Sequence, residues 1–242
     1  MSGHSKWHKI RHKKSANDAA RGKVLTKHSK IIAVVGRTDP NPETNASLRS
    51  VIANAKADGV PKDNIDKILK KIAGEGKDGA VYHEVVYEGF GPGGIPVMIE
   101  ALTDNVNRTF PEVRTAFEKN GGNLGSTGTV SFMFDRVGVI TVKTGGKSED
   151  ALMDMAIEAG AQDLEYDEEV SEMITDFKDL AAVRTALEGQ SEILKSEPRY
   201  MAKDPQAIND PVIIGKFEKF LEAVEAVEDI DEVYVGSDII DQ

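Results

Sequence analysis

The chain has 242 residues, 40% hydrophobic and 29% charged, with 30 Lys/Arg against 41 Asp/Glu; this balance fits a soluble globular protein with room for one large domain or two to three small ones. It has no cysteine, which excludes disulfides, thiolate-ligated zinc, iron–sulfur clusters and cysteine nucleophiles and suits a reducing compartment. No apolar run reaches the ~18–20 residues that span a bilayer, and no apolar h-region accompanies the basic N-terminus, so no membrane association and a cytoplasmic location are expected.

The first 37 residues hold ten Lys/Arg (Lys6, Lys9, Arg11, Lys13, Lys14, Arg21, Lys23, Lys27, Lys30, Arg37) and a single acid, Asp18, a net of +9 on a chain whose formal charge is −11. Clustered charge of one sign repels itself, and a polyanion relieves that repulsion. Nucleic acid, DNA or RNA, is therefore the expected partner of this segment. Residues 1–14 lack a helical stripe and read as an arm that orders on binding. Trp7 is the only tryptophan and sits inside Lys6-Trp7-His8-Lys9. It can stack on an unpaired base or anchor the arm to a hydrophobic core. His4, His8 and His12 have the i,i+4 spacing of helix-borne metal ligands. No carboxylate lies among them and the surrounding cations repel a dication, so neither a metal nor another cofactor is expected.

Helical periodicity follows. Val24, Leu25, His28, Ile31, Ile32 and Val35 fall on one face before Gly36; Leu48, Val51, Ile52 and Ala55 repeat it before Gly59; Ile65, Ile68, Leu69 and Ile72 repeat it between Pro61 and Gly74. Three amphipathic helices with short connections predict a small bundle. Lys23, Lys27 and Lys30 are expected together on the face opposite the first stripe. The charge changes sign at the glycine-rich stretch 74–79: residues 1–77 carry +10 and residues 78–242 carry −21.

Strands and helices then alternate. Strands are expected at 82–88 and 95–102 around Gly89-Phe90-Gly91-Pro92-Gly93-Gly94, a helix at 111–119 opened by a capping box from Thr109 to Glu112, and a strand at 130–134. Residues 137–203 read as β-α-β-β-α-β, the ferredoxin-like unit. A final helix opens at Asp210-Pro211 and a strand closes at 233–235. The expected fold is α+β in three domains: a basic helical domain over 1–78, a discontinuous sandwich from 79–135 with 204–242, and a ferredoxin-like domain, 136–203, inserted into it.

The remaining motifs favour structure over chemistry. Gly145-Gly146-Lys147-Ser148 lacks the first P-loop glycine, since Thr141 stands there; Ser148 reads as a helix cap. Gly89 to Gly94 leads into a strand, so it is no dinucleotide fingerprint. Residues 163–179 hold eight acids against Lys178, as a solvated sheet edge would or a lobe kept away from nucleic acid. No HExxH or GxSxG is present, and no catalytic constellation is expected.

Several stretches taken together resemble one family. Gly3-His4-Ser5-Lys6-Trp7, Lys13-Lys14-Ser15-Ala16, Arg21-Gly22-Lys23, Pro61-Lys62-Asp63-Asn64-Ile65, Tyr87 to Gly94, Thr103-Asp104-Asn105-Val106-Asn107-Arg108-Thr109 and Gly121-Gly122-Asn123-Leu124-Gly125 are similar, in order, to the YebC/PmpR family. Its mitochondrial relatives are translational activators of cytochrome c oxidase subunit I. The resemblance implies three domains and a non-enzymatic cytoplasmic regulator, attributed either to DNA-binding transcriptional control or to translation at the ribosome, including proline-rich stretches. Val106 stands where the family often has a cation, which takes weight from a phosphate contact by that loop. The candidate interface is thus Lys6, Trp7, Lys9, Arg11, Lys13, Lys14, Arg21, Lys23, Lys27 and Lys30, in a chain expected to be monomeric and to meet DNA, ribosomal RNA or the ribosome. The rival classes are a metal-dependent nuclease or nucleotide-binding enzyme with clustered acids between the α/β domains, and a protein-interaction adaptor.

Overall fold

In the computed structural model, which describes residues 18–75 and 81–239, three helices come first: α1 (Asp18–Val35), α2 (Ala46–Ala57) and α3 (Lys62–Lys70). Asn45 joins the first two. Its carboxamide accepts from the Leu48 N–H at 2.9 Å, capping α2, and donates to the carbonyls of Val35 and Asp39. Ile32, Leu48, Ile52, Ala55, Val60 and Ile65 form the common core, as the three apolar stripes require. Gly36 ends α1 where a Cβ would run into the Ile72 side chain.

The described residues form two compact units, one made of 18–20, 81–135 and 200–239, the other of 21–75 with 136–199. In the first, β1 (His83–Gly91) and β2 (Ile95–Thr103) make a hairpin through Pro92–Gly94. With β3 (Asn123–Leu124) and β9 (Ile230–Val235) they form a sheet in the order β3-β1-β2-β9. Helices α4 (Val106–Lys119) and α7 (Pro211–Glu225) contribute Val113, Phe117, Phe217 and Phe220 to the core with Tyr87, Val97 and Ile99 from the sheet. Phe117 meets Phe220 edge-on at 4.8 Å, a favoured aromatic geometry. The opposite face carries Met98, Tyr234, Val130 and Phe134. A two-stranded parallel ribbon, β8 (Gln206–Ile208) with β10 (Ser237–Ile239), completes the unit.

Two expected boundaries are corrected here. Helix α4 starts at Val106 rather than Pro111, because Asn105 caps it by accepting from the Arg108 N–H. Thr109, expected to cap, is instead buried in the first turns, its hydroxyl 2.7 Å from Asp229 Oδ2. Residues 131–133 form a 3₁₀ turn, and β4 (Phe134–Lys143) begins only after it. The cause is Glu88, whose buried carboxylate accepts from the N–H groups of Gly128, Val130 and Ser131. Backbone donors committed to a carboxylate are withdrawn from any strand ladder.

In the second unit, β4, α5 (Glu149–Ala159), β5 (Asp163–Glu165), β6 (Val170–Asp176), α6 (Leu180–Leu187) and β7 (Ile193–Ala202) follow the β-α-β-β-α-β order. The sheet order is β5-β6-β4-β7, the arrangement that two split βαβ crossovers produce. Ile140, Val142, Leu152, Met173, Val183 and Leu187 pack between sheet and helices. Ser148 caps α5, accepting from the Ala151 N–H. It is a helix cap and not part of a phosphate loop.

Candidate nucleic-acid interface

Of the ten residues expected to contact nucleic acid, Lys6, Trp7, Lys9, Arg11, Lys13 and Lys14 lie outside the described residues. Arg21, Lys23, Lys27 and Lys30 belong to α1. Lys23 is exposed and Lys27 half-buried, one turn apart, and exposed Gly22 and Thr26 lie beside them. Lys30 departs from the expectation. It is buried, only 8% exposed, so it does not share an open face with the other two. A helical wheel registers the charge of a lysine but not its four-carbon stem, which packs against apolar surface as readily as a leucine. Lys23, Lys27 and Lys30 each also interact with another group of the chain.

Helix α3 is a different surface. Lys62, Lys67 and Lys70 are exposed, but so are Asp63 and Asp66. Alternating signs at this spacing support a solvated helix and leave little net field. Helix α2 carries Arg49 and Lys56 with no acid, and α1 carries Arg21, Lys23, Lys27 and Lys30 against Asp18, so the largest positive surplus of the bundle lies on α1. Gly22 is the odd residue there, since a glycine inside a helix costs up to about 1 kcal/mol relative to alanine. A Cβ at Gly22 would meet nothing within 4 Å. Packing among the described residues does not account for it, whereas close approach of a ligand backbone would.

An acid that contacts α1 is kept occupied. Asp58 Oδ2 accepts from His28 Nε2 at 2.7 Å and from Lys195 Nζ at 3.0 Å. Burial opposes ionisation of Asp58, but His28 and Lys195 outweigh it and hold the carboxyl below its usual value. Beside this contact, Asn54 reaches β7. Its Nδ2 donates to the Ser196 carbonyl at 2.9 Å and its Oδ1 accepts from the Ser196 N–H at 3.1 Å. The carboxamide thus pairs with β7 as a neighbouring strand would, joining the bundle to the sheet β5-β6-β4-β7. Sequence reasoning missed this pair. The available signal was an asparagine beside an apolar helical stripe, a position that needs a buried partner.

The motif-rich loops have structural roles. Asp229, 3% exposed, gathers Thr103, Thr109 and Arg108, the last at 2.6 Å. Asp104 holds the same guanidinium group at 3.0 Å. Two carboxylates on one arginine leave no surplus positive charge for phosphate. Gly89, Gly91 and Gly122 are forced by contact: a Cβ would strike Asn123 and Phe117, Phe217, and Phe220 respectively. The acidic run is partly structural as well. Glu172 takes both oxygens to Arg199 Nη1, at 2.9 and 2.8 Å, while Glu197 binds the other side of the guanidinium. Burial lowers the Arg199 pKa, but the two carboxylates outweigh it and the group is held above its normal value. Among the described residues, no three His, Asp or Glu side chains are gathered as metal ligands would be, and no helix is long and apolar enough to cross a membrane.

The chain matches two family models. One, described as the TACO1/YebC protein N-terminal domain, covers residues 5–75, and the other, the TACO1/YebC second and third domain, covers 82–236. It is 48% identical over 237 residues to the probable transcriptional regulatory protein ORF2U of Hathewaya histolytica, spanning 97% of this chain and 96% of that one. A probable transcriptional regulatory protein of Clostridium novyi is 47% identical over 236 residues, with 97% and 96% covered. Among solved structures, a conserved hypothetical protein from Aquifex aeolicus, Aq1575, is 41% identical and superposes with a TM-score of 0.85 over 93% of both chains.

Proposed function

We propose, from the premise that this chain belongs to the TACO1/YebC family, that it is a non-enzymatic regulator of gene expression that binds nucleic acid through its basic helical domain. The observation that carries this is the segregation of charge. Residues 1–77 hold 17 Lys/Arg against seven acids, and the rest of the chain is strongly acidic. The relatives' names point to transcription. Within the domain, α1 carries Arg21 and presents Lys23 and Lys27, and the arm adds Lys6, Trp7, Lys9, Arg11, Lys13 and Lys14. Lysines read phosphate in any nucleic acid, so the reading is backbone and shape recognition. Exposed Asp63 and Asp66 make α3 a poor recognition helix for a major groove.

A second reading, a translation factor working on ribosomal RNA, shares this surface, because shape and phosphate readout also serve structured RNA. The test is fluorescence anisotropy of a labelled duplex DNA and a labelled RNA hairpin across a salt series. With about six phosphate contacts the log–log salt slope is expected near −5. Lys23→Glu with Lys27→Glu is expected to weaken binding at least tenfold at constant stability, since each reversal removes and repels a phosphate contact. A flat slope, or binding unchanged by the reversals, overturns the assignment to α1. Preference for the duplex favours transcription. Preference for the hairpin, with co-sedimentation on ribosomes that RNase abolishes, favours translation.

A further inference from the structure

The unit that contains 81–135 and 200–239 has a feature that nucleic-acid binding leaves unexplained. Phe132 is 68% exposed, the most exposed large hydrophobic residue described, while Val130 and Phe134 on either side are buried. Single exposed apolar residues are common on protein surfaces; this one sits on a turn whose backbone is fixed by hydrogen bonds on both sides of it. The buried Glu88 carboxylate accepts from Gly128 N–H at 2.9 Å and from Val130 and Ser131 N–H at 2.8 Å each. Its own carbonyl accepts from Gly125 N–H at 2.8 Å. Met133 N–H closes the turn on the Val130 carbonyl, and the Met133 carbonyl accepts from Lys203 N–H. A charge has been buried to fix one turn, and that turn presents an aromatic ring to solvent. Preorganised aromatic side chains of this kind are what interface anchors are made of, because little freedom is lost when they are covered.

The surroundings indicate what covers it. Glu84, Val86 and Glu88 alternate onto one face of β1. Val86, 37% exposed, lies opposite Glu100, and Glu100 lies opposite Glu232 on β9. The face that bears the Phe132 turn therefore also bears a row of carboxylates. Residues 81–135 and 200–239 together hold 17 acids against six Lys/Arg, a field that disfavours a phosphate backbone on this face.

We infer that this face is a protein-docking surface on which Phe132 is the anchor, and that its partner is a protein presenting an apolar pocket rimmed by lysine or arginine. The inference is independent of which nucleic acid the helical domain binds. The test places the photo-crosslinker benzoylphenylalanine at position 132 of the full chain in living cells, with the crosslinked protein identified by mass spectrometry. The expected result is a nuclease-resistant adduct with a protein whose Lys and Arg outnumber its Asp and Glu. That adduct is absent when the same group replaces Val212, which is 61% exposed. Glu84→Lys with Glu232→Lys, at unchanged Tm, is expected to reduce it about tenfold by placing like charges together. An adduct with nucleic acid, with an acidic or neutral protein or with this chain itself (its basic arm or a second copy) overturns the proposal. So does no adduct, or one that the charge reversals leave intact.

Discussion

Gly22 and Gly215 provide a paired test of why a helix tolerates glycine. Each lies within a helix where a Cβ would meet nothing within 4 Å. Alanine at either site is expected to raise stability by about 0.5–1 kcal/mol, read from urea denaturation. If Gly22 serves the approach of a nucleic-acid backbone, only Gly22→Ala also weakens binding in the anisotropy assay. Glu88 makes a second residue-level prediction. Burial pushes its pKa up, but three backbone N–H donors outweigh it and set the carboxyl below its ordinary value. A carboxylate with a depressed folded pKa stabilises fully above its unfolded value, roughly 4.3, and loses that contribution as pH falls through the lower folded one. The amide resonances of Gly128, Val130 and Ser131 should therefore titrate together, with a midpoint below that of an unperturbed glutamate. A midpoint at or above the ordinary value would contradict the assigned hydrogen bonds. Neither role was legible in the sequence. The partners of Glu88 lie some 40 residues away, and Gly91 is shaped by Phe217, which no local pattern connects to it.

At the scale of elements, local signals served well where the cause was local. The three bundle stripes, the Ser148 and Asp210 caps and the β-α-β-β-α-β order all came from period and punctuation, and each is set within a few residues. The two misplaced boundaries differ in cause: the α4 start is set locally by Asn105, with distant Asp229 holding Thr109 inside the helix, whereas distant Glu88 turns residues 128–131 away from β4. The α2–β7 junction is another long-range product and supports its own prediction. Asn54→Ala leaves the Ser196 N–H without its partner and the Ser196 carbonyl with only the Ser50 hydroxyl, at 3.3 Å. A cost of about 1–3 kcal/mol is expected from the stranded buried groups, together with faster amide exchange at Ser196. Asn54→Asp keeps the acceptor but removes the donor, so the Ser196 N–H should stay protected in that variant. Equal exchange in both would mean that the sheet edge is shielded by other groups.

For the whole molecule, charge was the most legible property and the candidate site the least. The basic lobe could be read from the sequence, but burial of Lys30 could not, because it depends on what surrounds a side chain and not on its type. The discontinuity of the sheet β3-β1-β2-β9 carries a further consequence, for the order of events in folding. β2 ends at Thr103, yet its partner β9 begins at Ile230, and the core residues Phe217 and Phe220 arrive with α7. The β4–β6 ladder needs only residues 137–176. Closing a long loop costs entropy before any contact repays it. In refolding followed by pulsed hydrogen exchange, the amides of Val139 to Val142 should gain protection before those of Val97 to Ala101. On the ribosome, the hydrophobic strands β1 and β2 then wait, incompletely covered, until nearly the whole chain has emerged. That interval, and not the finished fold, is when this protein is most exposed to aggregation and most dependent on chaperones.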